Sequence, residues 1–138
     1  MVDFGNFLDS LLPSLVASYG VDPERVHVHL GASEVMLPIT AAMPCGLLAN
    51  ELISNALKHA FPGDRRGEVQ VELVSDRENE AVLSVSDDGV GLPEDLDLAA
   101  GDTLGLQLAS LLTDQLGGAM SVHRAHPTRF DLRFPMER

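Results

Sequence analysis

The sequence predicts an α/β (α+β) two-layer sandwich, with a mixed, mostly antiparallel sheet covered on one face by about three helices. Three observations support this. The 138 residues run as helix, two strands, helix, two strands, helix, two strands. The links inside each strand pair are of hairpin length, which favours antiparallel neighbours. Each helical stretch has an apolar side, and 45% hydrophobic residues suffice for a core in a chain of one-domain size.

The elements follow in order. The stretch DFGNFLDSLLPSLVASYG reads as an opening helix within residues 1–20, with Phe4, Phe7, Leu8, Leu11, Leu12 and Leu15 near helical spacing. RVHVHL and EVMLPI read as two short strands joined by Gly31-Ala32-Ser33. The next helix is expected over 44–60. Pro44 suits a first turn, and Phe61-Pro62-Gly63 is a stop signal. Its Ala49, Leu52, Ile53, Ala56 and Ala60 share one side, while Glu51, Asn55 and Lys58 form a stripe with His59 at its margin.

Alternation then gives two strands, one with Val69, Val71 and Leu73 and one with Ala81, Leu83 and Val85, separated by the polar turn SDRENE. LPEDLDLAAGD reads as a short loop. A helix from Leu104 to Leu116 is largely apolar around a stripe of Gln107, Ser110 and Asp114, so heavy burial is expected. Gly117-Gly118 ends it. Met120 and Val122, then Phe130, Leu132 and Phe134, mark a closing strand pair.

The formal net charge of −12 argues against a nucleic-acid surface. An anionic ligand would need a cation, a helix N-terminus or local basic side chains. No apolar run reaches the roughly 18 residues of a membrane span, and no signal peptide is visible. Cys45 is the one cysteine, which excludes an intrachain disulfide. These features favour a soluble cytoplasmic domain without membrane contact.

Three groups of residues are candidates for chemistry. In the stretch VSDDGVGLP, Asp87 falls on the same strand face as Leu83 and Val85 and so points toward the helices. A buried acid needs a hydrogen-bond partner. An exocyclic amine of a flat base would serve, and Gly89 and Gly91 would let such a base come close. A turn in which Asp87 caps a nearby N–H explains the same residues equally well. The second group is Glu51, Asn55, Lys58 and His59. An amide oxygen facing a pocket can ligate Mg²⁺, a carboxylate one turn earlier can orient or deprotonate a nucleophile, and Lys58 and His59 can meet phosphate. A solvated helix face is the ordinary alternative, although mid-helix Asn has poor propensity. The third group is Thr103, Leu104 and Gly105, where a helix start exposes N–H groups to an anion. Alone it reads as an ordinary cap.

Taken in order, NELISNALKHAF, DDGVG and TLGLQLASLLTDQLGG resemble the N box and the two glycine boxes of the GHKL ATP-binding fold, also called the Bergerat fold. The chain is most similar to catalytic domains of bacterial sensor histidine kinases, in a subgroup near the HWE kinases. The resemblance covers residues 1–138 as one ATP-binding catalytic domain, with both glycine boxes and a short lid inside 87–118. It makes Asp87 the adenine reader and Asn55 the Mg²⁺ ligand. Glu51 takes the general-base position, Gly89 and Gly91 border the base, and Gly105 and its neighbours receive phosphate. Thr128 matches a threonine near the nucleotide.

The sequence also departs from the pattern. It has no Trp, no Phe between Phe61 and Phe130, and Pro127 where the family has Gly. His27, His29, His59, His123 and His126 do not lie on an exposed long helix, so the phosphoaccepting histidine is expected on a separate dimerisation domain, with a response regulator downstream. The resemblance thus implies transfer of the ATP γ-phosphoryl to that histidine, with ATP and Mg²⁺ as cofactors. Two alternatives are an anti-sigma-type serine kinase of the same fold and a nucleotide-blind module that docks a response regulator.

Overall fold

A computed structural model describes residues 1–20, 22, 24–59, 65–76, 79–89, 104–123 and 128–136, with the side chains of residues 59 and 104–106 outside that description. Within it, three helices pack on one face of a five-stranded sheet. The expected sandwich is therefore the fold.

The chain opens with a two-residue strand β1 (Val2–Asp3) and helix α1 (Phe4–Ser18). Asp3 caps α1, its carboxylate accepting from the Asn6 N–H at 3.2 Å. Pro13 is accommodated inside the helix. Phe4, Leu8, Leu12 and Leu15 are buried on the predicted side, while Phe7 is 41% exposed. Strand β2 (Val26–Ala32) follows, then β3 (Met36–Leu37).

The expected hairpin of these two strands does not form. β3 pairs antiparallel with β1 in a separate small ladder. β2 instead pairs in parallel with β4 (Gly67–Ser75), Val28 opposite Val69. A parallel neighbour needs a crossover, and helix α2 (Ile39–His59) supplies it. The sheet order is β2-β4-β5-β7-β6.

α2 begins five residues before the expected position at Pro44, and Ile39 belongs to it rather than to a strand. Pro38 is the cause. Its missing N–H ends β3, and its carbonyl accepts from the N–H groups of Ala41 and Ala42, both at 2.9 Å. Pro44 lies inside the helix. Ala49, Leu52, Ile53 and Ala56 are buried as expected, joined by Cys45, Leu48 and Leu57.

β4, β5 (Glu80–Asp87), β7 (Thr128–Pro135) and β6 (Ala119–His123) form the antiparallel part of the sheet. Helix α3 (Leu104–Leu116) has its predicted bounds. It closes with a Schellman motif. Gly117, at φ 67°, donates to the Asp114 carbonyl, and the Gly118 N–H to that of Thr113, at 3.0 and 3.1 Å. A Cβ on Gly118 would stand 2.5 Å from the Arg133 carbonyl oxygen, so this glycine also lets the chain pass close to β7. The expected heavy burial of α3 does not hold. Ala109, Leu112, Thr113 and Leu116 face the core, but Leu108 is 39% and Leu111 63% exposed.

Candidate functional site

The inward face of the β5–β7 ladder carries the first part of the site. Ala81 stands opposite Phe134, Leu83 opposite Leu132, and Val85 opposite Phe130. All six are buried. The next inward pair is Asp87 and Thr128. Both are buried, Asp87 at 9% exposure and Thr128 at 3%. On its other side Asp87 neighbours Val69 of β4, which is fully buried. An apolar strip therefore ends in a carboxylate and a hydroxyl set side by side.

These two groups differ in how they are satisfied. Asp87 Oδ1 accepts from the Gly89 N–H at 3.0 Å. This is the capping turn that VSDDGVGLP also allowed. An ionised carboxylate has about four acceptor sites, so a cap leaves capacity for other donors. Among the described residues, the Thr128 hydroxyl has no hydrogen-bond partner. A buried hydroxyl without a partner costs about 1–3 kcal/mol, and native proteins keep few of them.

Asp88 holds the end of β5 in place. Its carboxylate accepts from the Glu68 N–H at 2.7 Å, its own N–H donates to the Glu68 carbonyl at 3.3 Å, and its carbonyl accepts from the Arg65 guanidinium at 3.2 Å. The two adjacent acids thus divide the work. Asp87 points into the helical layer, and the exposed Asp88 fastens the strand end to β4.

α2 carries the second part. Glu51 and Asn55 are half-buried and one turn apart, at the edge of the buried side formed by Leu52, Ile53 and Ala56. Both offer hard oxygen donors. A single amide oxygen with a neighbouring carboxylate suits Mg²⁺, which keeps several waters and shares phosphate oxygens. Lys58 is exposed, with its ammonium 5.1 Å from the centre of the Tyr19 ring. His59 ends the helix. Sequence reasoning missed Ser54, whose buried hydroxyl also lacks a hydrogen-bond partner among the described residues. Its signal was available, since a serine flanked by Ile53 and Asn55 falls where the buried side meets the polar stripe.

The third part is described only from Leu104 onward. Leu104 and Gly105 form the first turn of α3, while Gly91, Thr103 and the intervening lid lie outside the described residues, as does Pro127.

Residues 42–138 match the family described as histidine kinase-, DNA gyrase B-, and HSP90-like ATPase. Blue-light-activated histidine kinase 2 of Erythrobacter litoralis (strain HTCC2594) is 34% identical over 99 residues, covering 72% of this chain and 29% of that protein. Sensor histidine kinase PdtaS of Mycobacterium tuberculosis is 29% identical over 141 residues, covering 99% of this chain and 28% of that protein. The chain therefore spans under a third of the length of these curated relatives. Among solved structures, the histidine kinase domain of the Erythrobacter litoralis EL346 blue-light activated histidine kinase superposes with a TM-score of 0.91 at 29% identity, covering 98% of this chain and 62% of that one. With this match over residues 42–138, the chain is a member of the histidine kinase-, DNA gyrase B- and HSP90-like ATPase family.

Proposed function

We propose that residues 1–138 form the ATP-binding catalytic domain of a sensor histidine kinase, which presents the γ-phosphoryl of ATP to a histidine on a separate dimerisation domain. The observation that carries this reading is the buried pair of Asp87 and Thr128, with the Thr128 hydroxyl unpartnered among the described residues. A ligand with an amine and ring nitrogens on one edge, as in adenine, offers a donor for the carboxylate and an acceptor for the hydroxyl. Gly89 and Gly91 allow the base to lie against backbone.

Phosphoryl transfer asks mainly for positioning and neutralisation of charge. Asn55 would hold Mg²⁺, which supplies charge neutralisation at the phosphate oxygens. Thr103, Leu104 and Gly105 would add N–H donors from the start of α3, and Lys58 and His59 a positive edge. Glu51 would accept the proton of the attacking imidazole. Such local positive groups let a chain of formal charge −12 hold a polyanion.

The partner domain must dock beside this site. Leu108 and Leu111, exposed along α3, offer apolar surface for that contact. A response regulator would receive the phosphoryl group downstream. No described helix is long and apolar enough to cross a membrane.

The test uses labelled ATP with the chain alone and with a histidine-bearing dimerisation hairpin from a related kinase. Asn55→Ala should abolish Mg²⁺-dependent transfer. Glu51→Gln should keep nucleotide binding and slow transfer by about 10²–10⁴-fold. An acid-stable phosphoserine product, or strong labelling of the chain alone, would overturn the reading.

A further inference from the structure

The outward face of the sheet, turned away from the helices, carries a cluster that the nucleotide site does not use. His27 and His29 are two residues apart on β2 and so stand on the same side of the sheet. Glu68 of β4 lies directly opposite His27 in the parallel ladder. All three side chains are exposed. One ligand atom from each lies within 4.8 Å of the others, and Glu68 Oε1 is 3.5 Å from His29 Nε2. The two imidazole rings meet edge to face, 6.3 Å apart at 82°.

We propose that His27, His29 and Glu68 form a surface site for a divalent transition metal of the Zn²⁺ class. Donors bound to one centre at about 2.0–2.2 Å stand roughly 3.4 Å from one another in tetrahedral geometry. The His29–Glu68 separation already has that value, and rotations about exposed χ angles bring in His27. The β2–β4 ladder runs unbroken from Val26 to Ala32, so the backbone positions of all three ligands are fixed in advance.

Two imidazoles and one carboxylate suit Zn²⁺, Ni²⁺, Co²⁺ or Cu²⁺. They do not suit Mg²⁺, which takes oxygen ligands. The cluster therefore differs in chemistry from the donors on α2. Three protein ligands leave a coordination position for water or a further group. As an ion pair alone, His29 with Glu68 would contribute little, because both are about half exposed.

The test is calorimetric titration of the untagged, chelator-treated chain with Zn²⁺ in excess Mg²⁺, without nucleotide. One saturable Zn²⁺ per chain is expected. His27→Ala/His29→Ala should weaken it by at least about tenfold, and Glu68→Gln should also weaken it. His123→Ala, on β6 at the far edge of the sheet, should leave it unchanged. In NMR spectra the imidazole signals of His27 and His29 should shift with added Zn²⁺. Matched melting curves of wild type and variants establish that the fold is kept. No saturable binding by wild type, equal affinity in the double variant, or shifts confined to His59, His123 and His126 would overturn the proposal.

Discussion

On its inner face the β5–β7 ladder runs from Ala81–Phe134 through Leu83–Leu132 and Val85–Phe130 to Asp87–Thr128. On its outer face the same two strands pair Ser84 with Asp131 and Ser86 with Arg129. The outer polar groups satisfy one another. Ser84 Oγ donates to Asp131 Oδ1 at 2.5 Å, Arg129 Nε donates to the same oxygen at 2.8 Å, and Arg129 also reaches Ser84 Oγ at 3.3 Å. Further along, Arg133 pairs with Asp76 and Glu80. The inner polar groups sit together at one end of an apolar strip, and among the described residues one of them has no partner. A polar group that closes its hydrogen bonds within the chain serves the fold. One that is buried and left open is available to a ligand.

Three substitutions test that contrast. The largest effect is expected at Asp87. Asp87→Asn removes a charge-assisted acceptor and should cost ATP about 1.5–3 kcal/mol of binding free energy. GTP should lose less, since guanine offers a carbonyl where adenine offers an amine. Equal losses in paired titrations would make Asp87 part of the fold, like its outer-face counterparts.

Thr128→Val should act with opposite signs on two measurements. Removing a buried, unpartnered hydroxyl should leave the melting temperature of the free chain unchanged or raised. ATP affinity should fall by about 0.5–1.5 kcal/mol, the net value of one hydrogen bond. A lowered melting temperature with unaltered ATP affinity would place Thr128 among the structural groups.

Asp131→Asn should have the smallest effect, a modest loss of stability at neutral pH that fades as pH falls. Burial raises the Asp131 carboxyl, but hydrogen bonds from Ser84 and Arg129 and the charge of Arg129 outweigh it and hold it below its ordinary value. A depressed carboxyl stabilises the fold above the ordinary carboxylate range, and that contribution is lost as pH falls through the folded value. The variant should therefore show a shallower loss of stability below about pH 4, with ATP binding intact. A weakened nucleotide complex would mean that the two faces are coupled.

Legibility from sequence followed the range of each interaction. The inward aim of Asp87 was readable because strand alternation is local, and so was the end of α3 at Gly117-Gly118. The partner of β2 was not, since nothing within residues 26–32 encodes pairing with a strand some forty positions away. Pro44 resembled a helix start because it is tolerated in a first turn, yet the chain had already turned helical at Ile39, after Pro38. The apolar composition of α3 suggested burial, but composition does not record what covers Leu108 and Leu111. In the site, the Glu51–Asn55 stripe was visible by period. Ser54 was readable by its place at the margin of the stripe, but the burial of its hydroxyl without a partner among the described residues is a property of packing.

The fastening of Asp88 to Glu68 has a consequence for tolerance to change. Tandem acids make the end of β5 partly self-similar, since a slip of one residue would still leave a carboxylate at one of the two posts. Every apolar side chain of β5 would, however, change face. The two bonds between Asp88 and Glu68, one through the backbone and one through the Asp88 carboxylate, together with the Arg65 contact, act as a stop that favours the right alignment over its near copy. A deletion of Ser86 should thus disable the site without removing any of its named residues.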